Sequence, residues 1–71
     1  MTSHNVEAVH VCLGTSLRLY HVSLMGRRRW DGLMEELDRL GVDRDPKRAW
    51  MLGCAQARRH GVACIQYARG H

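Results

Sequence analysis

The sequence predicts a small α+β domain of two layers. The expected order is ββααβ, with a three-stranded, mainly antiparallel sheet carrying two helices on one face. Three observations lead there. Two β-rich segments flank a short Gly-Thr-Ser run near the start. Two stretches in the middle repeat apolar or small residues at three- and four-residue spacing, and a short apolar segment follows Gly61. Helices on one side of such a sheet give each element somewhere to bury its apolar face.

The first strand is expected over about 6–13 and the second over about 17–25, because both are rich in Val and Leu around Gly14-Thr15-Ser16. A two-residue turn would place Val9 and Val11 on the face of Arg18 and Tyr20. A three-residue turn would instead gather Val9, Val11, Leu13, Leu17 and Leu19, and burial favours that register. His10, Cys12, Arg18 and Tyr20 then face outward.

Gly26 is expected to end the second strand. From there Trp30, Leu33, Met34, Leu37 and Leu40 recur at helical spacing, so the first helix is expected over about 28–40 with Gly41 as its left-handed cap. Asp45-Pro46 reads as an N-cap followed by proline at the first helical position. The second helix therefore spans about 46–60 and stops at Gly61. Its Ala49, Gly53 and Ala57 form a narrow stripe of small residues that allows close approach to a neighbour. A third strand is expected over about 62–69, either antiparallel beside the second or parallel beside the first. The core must draw its large rings from Trp30, Trp50, Tyr20 and Tyr67, because Phe is absent.

Residues 1–71 make one domain, small enough that its stability margin is thin. A chain with 45% hydrophobic and 25% charged residues is globular rather than disordered. No apolar run reaches membrane-spanning length, and the first residues lack the pattern of a signal peptide. Three cysteines are an odd number, which reads as a reduced, cytoplasmic protein rather than a disulfide framework.

Charge is the most informative property. The net charge is +4, and ten of the eleven cations are arginine. Most of them gather in three knots: Arg27-Arg28-Arg29, then Arg44 with Lys47 and Arg48, then Arg58-Arg59 beside His60. Arginine's planar fork suits phosphate and carboxylate recognition. The predicted order brings the start of the first helix beside the end of the second, merging Arg27, Arg28 and Arg29 with Arg58, Arg59 and His60 into one anion-binding patch. Arg18, Tyr20, Lys47 and Arg48 form a secondary surface. The middle knot is partly neutralised by Asp43 and Asp45.

Other chemistry is poorly supported. His10 and Cys12 share a strand face, and Cys64 joins them if the third strand turns that alternate set outward, with His71, His4 or His21 as a fourth ligand. That spacing matches no zinc knuckle, so no metal or other cofactor is expected. Cys54 and His60 lie out of phase on one helix, and no nucleophile elbow, phosphate loop or paired-carboxylate arrangement occurs. The protein is therefore expected to be non-enzymatic. No sequence-specific DNA- or RNA-reading signature appears either.

The leading expectation is an inhibitor or adaptor of phage or mobile-element type, an anti-CRISPR or other host-defence blocker, that occludes an acidic or nucleic-acid-binding surface of a protein or nucleoprotein complex. Sequence-independent DNA or RNA binding is one alternative and a small zinc module another. A membrane partner is not expected. The open sheet face and free edges make a homodimer plausible.

Overall fold

Among the described residues four strands and one helix make up the fold, in the order β1 (His4–Leu13), β2 (Tyr20–Arg28), β3 (Met34–Asp43), α1 (Pro46–His60) and β4 (Ala63–Tyr67). The computed structural model describes residues 4–13, 18–28 and 30–67. The Gly14-Thr15-Ser16 turn, Leu17, Arg29 and His71 lie outside the described residues, as does the His4 side chain. The α+β class stands, with one more strand and one fewer helix than the sequence predicts.

The sheet runs β3-β2-β1-β4. β1 and β2 pair antiparallel, with Leu13 opposite Tyr20, so the connection between them is longer than a three-residue turn. β2 begins later than expected and continues through Gly26 to Arg28. β4 lies parallel to β1, Ala8 beside Ala63 and Val9 beside Cys64, which resolves its direction.

The largest correction concerns residues 28–40. They form a hairpin turn and most of β3 instead of a helix. Asp31-Gly32 is the turn signal overlooked inside the helical pattern. Gly32 is left-handed at φ 72°. The Asp31 side chain accepts from the Leu33 amide at 2.9 Å, and Gly32 donates to the Arg28 carbonyl at 2.8 Å.

β3 then pairs with β2 through two bulges. Val22 faces Gly41 while Ser23 faces Arg39, and Leu24 faces Asp38 while Met25 faces Glu36. The residues skipped are Leu40 and Leu37, and both pack against the core. Each bulge inserts one residue into the two-residue alternation of a strand. Inward leucines consequently recur three apart, which imitates a helix. Gly41 is a strand residue under Leu52, not a cap.

α1 keeps the bounds that its caps predict. Asp45 accepts from the Lys47 amide at 2.9 Å, and Pro46 needs no amide of its own. At the other end Gly61 is left-handed at φ 69°; its amide donates to Arg58 and that of Val62 to Ala57, at 3.2 and 2.9 Å. This double contact closes the helix in a Schellman motif.

The buried face of α1 is the stripe Ala49, Gly53 and Ala57, which meets Val9, Val11, Val22 and Leu24 of the sheet. The core is aliphatic and small. Trp30 is 78% exposed and Trp50 36%, so neither supplies the expected interior ring. Tyr20, expected outside, packs on the helix side against the core.

A Cβ added to Gly53 would lie 2.6 Å from Val11 Cγ2 and 2.9 Å from Cys64 Sγ. Val11 is fully buried and has little room to move. Gly53→Val should therefore cost about 2–3 kcal/mol through overpacking, read from the urea midpoint. Ala55→Val on the exposed side should cost less than about 1 kcal/mol.

Candidate binding surface

α1 carries Lys47, Arg48, Arg58 and Arg59 and no carboxylate. With Ala49, Gly53 and Ala57 committed to the sheet, these cations are left on the solvent side, where all four are exposed. Arg58, Arg59 and His60 fall in the last turn, where the carbonyl end of the helix dipole favours positive charge. Their clustering costs little in folding and leaves them available.

Which cations are engaged elsewhere decides the shape of the surface. Arg27 Nε lies 3.5 Å from Glu7. Its Nη1 donates to the Gly32 carbonyl at 2.9 Å. Arg28 Nε lies 3.5 Å from both Asp31 and Glu35, and its guanidinium sits over the Trp30 ring, 5.2 Å from the centroid. The Nε contacts are ion pairs without hydrogen-bond geometry. Arg39 pairs with Glu36, and Arg48 with Asp43 and Asp45. Among the described residues, no carboxylate lies within ion-pair distance of Arg58 or Arg59.

The two outer knots therefore differ in kind. α1 finishes at the end of the sheet where Arg27 and Arg28 stand, since β4 enters beside Ala8 and Arg28 pairs with His4. Yet Arg27 and Arg28 serve the β2–β3 hairpin, while Arg58 and Arg59 meet no carboxylate among the described residues. Tyr20 leaves the secondary surface for the core side, and Arg18 is exposed at φ 54° in the loop before β2. Lys47 donates its amide to the cap and is exposed at the other end of α1.

A groove of about 400 Å³ opens between α1 and β4, lined by Trp50, Cys54, Ala57, Arg58, Val62 and Cys64. Its size falls within the usual range of ligand pockets. Its lining is mixed, with one aromatic wall and Arg58, a place for an apolar side chain beside an anionic group. Arg58, Cys54 and Cys64 were each named from sequence for other roles, but their meeting in one groove was not expected. Cys54, flanking the small-residue stripe, was the available signal.

The metal candidates are not brought together. His10 and Cys12 alternate with Val9 and Val11, so they lie on the sheet face away from the helix, and Cys64 pairs with Val9 on the helix side. No group of three potential ligands forms among the described residues. Burial lowers the pKa of His10. His21, opposite Cys12, has a buried Nδ1 without a hydrogen-bond partner.

Fold and surface together define a small α+β protein with a cationic helix laid on a four-stranded sheet. No protein-family model, curated protein or solved structure matches the chain. No helix among the described residues is long and apolar enough to cross a membrane.

Burial, followed by the neighbouring Cys54, pushes the Cys64 thiol up to about 11 from its usual 9.0. The folded chain thus holds this proton more tightly than the unfolded one. The corresponding stability is complete below pH 9 and is lost as the pH rises through 11. Urea midpoints measured across that interval should fall less steeply for Cys64→Ala than for the parent.

Proposed function

We propose that the protein is a non-enzymatic binding protein, an inhibitor or adaptor that docks the outer face of α1 on an acidic or phosphate-bearing surface of a larger complex. A host-defence complex blocked by a phage-encoded inhibitor such as an anti-CRISPR protein would present such a surface. The observation that carries this reading is the contrast among the arginines. Arg27, Arg28, Arg39 and Arg48 have acidic partners within the chain, whereas Arg58 and Arg59 have none among the described residues.

A guanidinium that answers no internal carboxylate keeps its donors for an outside anion. The distribution of charge supports the same orientation. β3 carries four carboxylates against one arginine, while α1 carries only cations. An anionic partner is attracted to the α1 side and repelled by the β3 side, which steers approach as well as affinity. The groove that Arg58 lines adds a place where a partner's apolar side chain could lodge beside the contact.

Direct, sequence-independent binding of DNA or RNA is the second reading, and the same two arginines would serve it. Salt elution from a heparin column, with titration against duplex DNA and polyglutamate, compares these readings. Arg58→Gln with Arg59→Gln should elute at clearly lower salt than the parent, and Arg27→Gln with Arg28→Gln should shift less. Retention on polyglutamate without duplex binding at low salt supports a protein partner. A steep log–log salt slope on duplex, reduced by about 2 in the first double variant, supports nucleic acid. Unchanged elution of that variant would remove the patch from consideration.

A further inference from the structure

The odd number of cysteines resolves into a pair and a singleton. Cys54 stands on α1 beside the small-residue stripe. Cys64 is the second residue of β4, and its pairing with Val9 turns it toward the helix. The two thiols line the same open groove, close enough for Cys54 to help raise the Cys64 pKa. Gly53 makes this possible, because its missing side chain leaves the space in which Cys64 Sγ sits, 2.9 Å from where a Cβ would be. Cys12 lies on the opposite face of the sheet, between residues that alternate with the core. It has no thiol of its own chain to meet.

We propose that Cys54 and Cys64 form an oxidation site at which a hydroperoxide converts the thiol pair into a disulfide joining α1 to β4.

The two sulfurs line one groove between packed elements, and the cross-link requires side-chain rotation to bring them to bonding distance. The groove is open along their length, so a small hydroperoxide reaches them. Burial raises the pKa of the Cys64 thiol, so the first attack is assigned to Cys54 in this proposal. In the first step the Cys54 thiolate attacks one peroxide oxygen. The O–O bond breaks, Cys54 becomes a sulfenic acid, and an alcohol leaves, or water where the oxidant is hydrogen peroxide. In the second step Cys64 sulfur attacks the sulfenic sulfur. The S–S bond forms, and the sulfenic oxygen leaves as water with the Cys64 proton. Two thiols are oxidised by two electrons and one peroxide is reduced.

The cross-link ties the edge strand to the helix across the Gly61 turn, closing a short loop from residue 54 to residue 64. It leaves the cations of α1 in place, but it lies in the groove that Arg58 also lines. A loop of this length restrains the unfolded chain enough to raise Tm by about 10 °C in a protein of this size.

The test uses the full chain carrying Cys12→Ser, so that only the pair remains. It is treated with equimolar hydrogen peroxide at neutral pH, alkylated, and measured by intact mass and peptide mapping. The expected result is loss of two hydrogen atoms, no alkylation, a cross-linked peptide joining Cys54 to Cys64, and a Tm rise reversed by dithiothreitol. Cys54→Ser and Cys64→Ser, each in the same background, should show no oxidative Tm rise. If one of them fails to fold, the other and the mapped cross-link still decide. Oxygen addition without a cross-link on the folded chain overturns the proposal, as does a disulfide found only between two copies.

Discussion

The approach of α1 to the sheet through Ala49, Gly53 and Ala57 sets the terms for every other feature of this protein. With no side chain at Gly53 and single methyls on either side, the helix backbone rides close over Val9, Val11 and Val22. The molecule is consequently thin, about 16 Å across its shortest axis. Between layers this near there is no space for an indole, so both tryptophans are displaced outward. Trp30 lies under the Arg28 guanidinium, and Trp50 becomes a groove wall. The same closeness lays Cys64 sulfur against the helix beside Cys54. A close interior therefore determines what the surface has to offer.

Charge follows from that arrangement in a second step. A helix that buries only alanine and glycine can give most of its circumference to solvent, and α1 fills it with cations. The acids gather on β3, at the far edge of the sheet, where they hold the arginines of the hairpin and blunt the strand against edge pairing. Two bulges in β3 add to that protection. β4, at the other edge, is short, uncharged and without bulges among its pairings. The acidic edge of the sheet is thus guarded, the other edge is a plain strand, and the cations lie on the outer side of the helix that crosses them.

Much of this was legible from local chemistry and some of it was not. α1 declares itself in Asp45, Pro46 and Gly61, each of which acts within one turn of the chain. β1 and the buried stripe are equally local. β3 was misread because Leu37 and Leu40 owe their spacing to bulges, which only the partner strand reveals. Trp30 also extended the false helical pattern backward across the Asp31-Gly32 turn. The candidate surface divides in the same way. Arg58 and Arg59 stand at a helix end that the sequence marks clearly. The neutralisation of Arg28 depends on β3 bringing Glu35 beside it, and the meeting of Cys54 with Cys64 depends on β4 lying parallel to β1. Both are tertiary facts.

That parallel pairing has a kinetic side. Ala8 meets Ala63 and Cys12 meets Tyr67 from nearly opposite ends of the described chain, with every other element in between. The β1–β2 and β2–β3 hairpins pair neighbours in sequence and can form early, but they leave Val9, Val11 and Val22 uncovered until α1 and β4 arrive. Non-local closure of this kind slows folding relative to a chain of hairpins alone. During synthesis the first three strands leave the ribosome as a meander with a bare apolar face, and the last strand seals it. The half-made protein is the form in which this fold is most vulnerable to aggregation.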